Sequence, residues 1–95
     1  MTTYRTQVKI VADVLSVARD FGDAETGVGI TTILRKANIP YSRLVKMLKE
    51  LVSAGLLVEI ENGRGSRYKI SEDGIKFLQA YSRFEEFARA YGLRL

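Results

Sequence analysis

A chain of 95 residues makes one small domain, and 46% apolar with 27% charged residues is ordinary for a globular fold. It has no cysteine and no histidine, which removes disulfides, thiolate chemistry and the commonest general base and metal ligand. The formal charge of +4 is uneven: residues 1–29 carry three basic and four acidic groups, residues 30–70 eight and three, and residues 71–95 four of each.

Apolar spacing predicts a first helix from Tyr4 to about Asp20, with Val8, Val11, Val14, Leu15 and Ala18 on its inner face and Thr2 or Thr3 as its cap. Phe21-Gly22-Asp23 ends it, Gly22 being free to turn left-handed. The next segment, Asp23–Gly29, reads as a loop. A second, short helix spans Ile30–Ala37, and Asn38-Ile39-Pro40 separates it from a third, Tyr41 to about Ala54. On that third helix Leu44, Leu48, Leu51 and Val52 share one face, while Lys46 lies opposite, flanked by Ser42, Arg43, Lys49, Glu50 and Ser53. Gly55 closes it.

The period then changes. Leu57–Glu61 and Arg67–Ile70 read as strands joined by a glycine-rich tip, Asn62-Gly63-Arg64-Gly65-Ser66. Ser71 is the natural cap of a last helix, Glu72 to about Tyr91, with Glu72 and Asp73 at the positive end of its dipole. No apolar run is long enough to span a bilayer, and the mixed N-terminus does not read as a signal peptide. An intracellular, cytoplasmic location is the default expectation.

Two helices joined by a tight turn, then a hairpin with a basic tip, follow the plan of a winged helix-turn-helix. The expected class is α+β, mostly helical. Residues 1–74 form the winged domain, and residues 75–95 an amphipathic dimerisation helix continuous with it. The basic surplus of residues 30–70 falls on the turn, the third helix and the hairpin, as a polyanion-binding surface requires.

The stretch Ile33-Leu34-Arg35-Lys36-Ala37-Asn38-Ile39-Pro40-Tyr41-Ser42-Arg43-Leu44 resembles the helix-turn-helix of small archaeal winged-helix proteins, among them the ten-kilodalton chromatin-associated group of Sulfolobus. Gly55-Leu56-Leu57 and Tyr68-Lys69-Ile70-Ser71-Glu72-Asp73-Gly74 resemble that group's wing and its exit. The resemblance covers about residues 7–91 and implies a dimer, joined through C-terminal helices, that binds duplex DNA with modest sequence preference. Pro40 departs from the small polar residue usual there, and Thr32 stands where many relatives carry a basic residue.

The residues themselves suggest how such a surface would work. Arg43 and Lys46 are placed to reach bases, because the N-terminal part of a recognition helix lies closest to them. Tyr41 and Ser42 would meet phosphate near the helix start, Lys49 faces outward and could meet guanine or a phosphate, and Arg35 and Lys36 would touch the backbone. In the wing the candidates are Arg64 at the tip and Arg67 and Lys69 on one strand face, with Glu59 and Glu61 as acids that could pair with them. Phe77, Tyr81, Phe84, Ala88 and Tyr91 recur at spacings of 4, 3, 4 and 3, with Phe87 beside them, a heptad seam suited to a second copy of the same helix.

The alternatives are a protein-interaction module on the same scaffold, or the final helix folding back to bury its seam internally. No paired carboxylates, metal cluster or cofactor motif is visible, so the expectation is a binding protein, not an enzyme. Nothing in the sequence marks a small-molecule pocket. The expected setting is the nucleoid, as a regulator or chromatin protein.

Overall fold

The computed structural model describes residues 5–63 and 65–93. The order is α1 (Gln7–Phe21), β1 (Val28–Gly29), α2 (Ile30–Ala37), α3 (Tyr41–Ser53), β2 (Leu57–Asn62), β3 (Gly65–Ile70) and α4 (Glu72–Ala90). Every expected helix and both hairpin strands are present, in the mostly helical α+β class. Helix α1 begins three residues later than its periodicity suggests, because Thr6 is the cap: its Oγ1 accepts from Lys9 N at 3.0 Å.

The segment read as a loop holds a two-residue strand. Val28 and Gly29 pair antiparallel with Tyr68 and Arg67, giving a three-stranded sheet of order β1-β3-β2. Two residues show no alternation, so the pattern of apolar positions could not reveal them. Gly27 leads into this strand at φ +69°, and a Cβ there would stand 2.3 Å from the Tyr68 carbonyl oxygen. Gly22, by contrast, is extended (φ −84°), not left-handed; its missing Cβ leaves room for the Ala18 carbonyl, 2.4 Å from where it would sit.

Leu15, Ile33, Leu44, Leu48 and Leu57 are fully buried and bring all three N-terminal helices and the sheet into one core. Helix α1 is covered on several sides, by α2, β3 and α4. Its buried set therefore includes Ile10, Ala12 and Val17, outside the single stripe read from periodicity, whereas Val8 is exposed. Helix α3 ends in a Schellman motif: Leu56 N donates to Leu51 O and Gly55 N to Val52 O, with Gly55 at φ +80°. Ser71 caps α4 by accepting from Gly74 N at 3.0 Å.

Candidate nucleic-acid interface

The turn that aims α3 is built from three residues. Asn38 takes the left-handed conformation (φ 55°, ψ 60°) and closes α2. Ile39 is buried and anchors the turn to the core. Pro40 stands at the N-cap of α3 with φ −57°, which suits a ring-locked residue; it contributes no side-chain cap. Outside the turn, Arg5 holds it from below. Its Nη1 donates to Ala37 O at 2.7 Å and its Nη2 to Asn38 O at 2.8 Å. These carbonyls lie at the end of α2, where a cation is favoured. Nothing in the spacing of the sequence singled out Arg5.

On α3 the side chains of Tyr41, Ser42, Arg43, Lys46 and Lys49 are all exposed, while Leu44, Met47, Leu48 and Leu51 face the core. The described ion pairs join Arg5 and Lys9 to Asp13 and Arg19 to Asp20, so among the described residues no carboxylate within 4.0 Å neutralises Arg43, Lys46 or Lys49. Among the described residues Arg43 makes one side-chain hydrogen bond, donating from Nη2 to Gln7 Oε1 at 3.3 Å.

The wing register separates its charges. Lys69 is opposite Val58 and Arg67 opposite Ile60, whereas Glu59 is opposite Tyr68 and Glu61 opposite Ser66. Directly opposed residues share a sheet face. The two acids therefore lie on the other face from Arg67 and Lys69, and do not pair with them. Glu59 instead accepts from the Ser66 hydroxyl. Burial, and then the nearby Glu59 charge, push the Tyr68 hydroxyl's pKa up.

Arg67 is half-buried, and its role differs from the one its sequence position suggests. Nε donates to Thr26 O at 3.1 Å and Nη2 to Gly27 O at 2.9 Å, stitching the approach to β1 onto β3. Its free edge borders an open cleft of about 600 Å³ that also includes Thr31 and Thr32 at the start of α2 and Ser66 in the wing. Neither threonine is a candidate by charge, and Thr32 stands out in the sequence only as a position where many relatives carry a basic residue. Lys69 is exposed. Arg64, expected at the wing tip, lies outside the described residues.

Arg35 and Lys36 are exposed in the last turn of α2. Lys36 Nζ sits 4.6 Å from the centre of the Phe21 ring, a cation–π contact. Phe21 ends α1 and Gln7 begins it, so Lys36 and Arg43 touch opposite ends of a helix about 21 Å long. The structure therefore does not gather Lys36 with the cations of α3.

The aromatic seam of α4 is split. Tyr81 (9% exposed) and Ala88 (1%) are buried within their own chain, and Phe77 packs against the core. Phe84 (56%), Phe87 (61%) and Tyr91 (69%) are exposed, with the Phe87 and Tyr91 rings 4.9 Å apart. The strict heptad reading placed Tyr81 and Ala88 outward because it took no account of packing within the chain; α1 packs against α4 and lies beside Tyr81.

A tight helix pair with an exposed basic second helix, followed by a three-stranded wing, defines a winged helix-turn-helix protein. The sequence profile of the winged helix-turn-helix family matches residues 4–89, and the chain belongs to that family. It is similar to the crystal structure of Sso10a-2, described as a DNA-binding protein from Sulfolobus solfataricus. The two superpose with a TM-score of 0.77 at 25% identity, over 92% of this chain and 85% of that one. No curated protein matches the sequence. No described helix is long and apolar enough to cross a membrane.

Proposed function

We propose that the protein binds double-stranded DNA as a homodimer, with α3 in the major groove and the β2–β3 wing on the neighbouring backbone or minor groove. The observation that carries this reading is the bare cationic stripe Arg43, Lys46 and Lys49 on α3, exposed and unpaired among the described residues. Such charges repel one another in the free protein, and a polyanion relieves that repulsion.

Arg43 and Lys46 take base or near-base positions. Tyr41, Ser42, Lys49, Lys69 and Arg35 take phosphates. Arg64 is assigned to the tip from its sequence position. Arg67 acts mainly by fixing the wing root, and its free edge faces the cleft at the start of α2. The description of the Sulfolobus solfataricus protein as DNA-binding supports the same reading here.

The homodimer is assigned to the exposed part of α4, where Phe84, Phe87 and Tyr91 stand in water in a single chain. Two copies would place two recognition helices on one duplex, about one helical turn apart. The chain acts as a nucleoid-associated regulator or chromatin protein in the cytoplasm, without catalysis.

Fluorescence anisotropy with a random duplex and with genomic upstream DNA, at low and moderate salt, tests the proposal. Affinity should fall about 10²-fold or more between 50 and 200 mM salt if several phosphates are contacted. Binding that ignores salt, or no binding at all, sinks the reading. A large preference for one duplex marks a regulator; a small one marks an architectural protein.

A further inference from the structure

Between α1 and α4 lies a polar cleft of about 210 Å³, bordered by Lys9, Asp13, Arg19, Tyr81 and Glu85. Its residues come from opposite ends of the chain, so no spacing in the sequence points to it. Tyr81 is nine-tenths buried, and its hydroxyl oxygen is sealed from solvent without a hydrogen-bond partner among the described residues. Buried hydroxyls are nearly always paired, so this one asks what completes it. Burial, and then the Glu85 charge, push the hydroxyl's pKa up, while the Lys9 charge opposes them.

The charges around the cleft balance. Lys9 is bonded to Asp13 at 3.2 Å, and Arg19 to Asp20 at 2.7 Å. Glu85 has no ion-pair partner among the described residues. A free anion entering here meets Glu85 and Asp13, and a free dication meets Lys9 and Arg19. A ligand carrying both signs on neighbouring atoms meets an opposite charge at each end. The volume is below that of pockets for drug-sized ligands, which restricts the occupant to a few heavy atoms.

We propose that this cleft binds a small zwitterion of the α-amino-acid class. The ligand ammonium lies against Glu85, and its carboxylate accepts from Lys9 and from the Tyr81 hydroxyl. Lys9 is partly exposed, and its charge acts on the Tyr81 hydroxyl; a bound ligand must open the sealed hydroxyl by shifting such a side chain. The proposal does not depend on DNA binding.

Thermal unfolding of the full chain with individual α-amino acids tests it, with putrescine as the dication and acetate as the anion. At about ten times its Kd, the matching amino acid should raise Tm by about 5–10 °C. Tyr81→Phe, which keeps the packing, should still fold and should bind about tenfold more weakly. Glu85→Gln should abolish the shift. The proposal is overturned if no amino acid shifts Tm, if putrescine or acetate shifts it equally, or if both variants keep the wild-type response.

Discussion

Arg5 lies 3.0 Å from the Asp13 carboxylate while it caps two carbonyls at the end of α2, so one ion pair sets the pose of the helix-turn-helix. Asp13 holds Lys9 as well, and that bond raises the lysine's pKa. The Arg5 and Asp13 side chains are 31% and 26% exposed, enough for solvent to weaken the pair but not to cancel it. Arg5→Met should cost about 1–2 kcal/mol, because it also leaves the Ala37 and Asn38 carbonyls without their donor. A Tm lower by about 5–10 °C is expected. An unchanged Tm would show that the turn stands without this clamp.

Gly27→Ala should be among the most damaging single-methyl changes in the chain. It combines a positive φ with a clash against the β3 backbone, which cannot yield as a side-chain tip can. The expected loss is about 2–4 kcal/mol. Gly55→Ala has a positive φ but nothing within 4 Å of the added methyl, so it should cost only about 1 kcal/mol. Urea midpoints of the two variants compare them directly, and equal midpoints would refute the clash.

The contrast between these glycines also shows what sequence could reveal here. Helices with one buried face, such as α3, were legible from periodicity, and the Asn38-Ile39-Pro40 break was legible from residue type. The exposed cations of α3 followed from the same wheel, because burying Leu44 and Leu48 forces Lys46 outward. Whatever depends on contacts distant in sequence was not legible. Strand β1 exists because β3 offers it an edge. Arg67 looks like a DNA contact until the carbonyls of Thr26 and Gly27 are brought beside it. Tyr81 looks like a dimer contact until α1 covers it.

Stability should be flat from about pH 5.5 to 8.5, since the chain lacks histidine and cysteine. Losses belong to the two extremes. The Asp23 pKa is lowered by backbone hydrogen bonds from Glu25 and Thr26, and that of Asp20 by its bond with Arg19. Their contribution is present above the unfolded carboxylate pKa near 3.8 and is lost as pH falls through the lowered folded values. Lys9, held by Asp13, and Tyr81, shielded by burial, have raised pKa values. What they contribute is present below their unfolded values and lost as pH rises through the folded ones. A transition in the Tm profile near pH 6.5 would contradict this.

The split seam of α4 makes the proposed dimer separable from the fold. Phe84→Glu with Tyr91→Glu changes only exposed positions and should leave Tm of the monomer unit nearly unchanged. The mass by sedimentation should drop to that of one chain, and apparent DNA affinity should fall on the order of 10²-fold with the loss of bivalency. Tyr81→Ala removes a buried ring and should instead destabilise the fold by about 3–5 kcal/mol. A double-glutamate variant that keeps a dimer mass places the interface elsewhere.

Basic residues of the candidate interface fall into two groups that salt can distinguish. Arg43 and Lys46 are exposed and have no ion-pair partner among the described residues, so each alanine substitution should weaken duplex binding while leaving Tm almost unaltered. A lost phosphate contact should lower the slope of log affinity against log salt by about 1. A lost base contact should weaken binding about 10-fold or more, with a smaller change in slope. Arg67 belongs to the other group, because its guanidinium holds the Thr26 and Gly27 carbonyls. Arg67→Ala should lower Tm as well as affinity, since the β1 approach loses its link to the wing. Arg67→Lys keeps the charge but not the fork, and should recover the salt slope without recovering Tm. If Arg67→Ala changed only the slope, its bonds to the loop would be incidental and its place would be with Arg43 and Lys46.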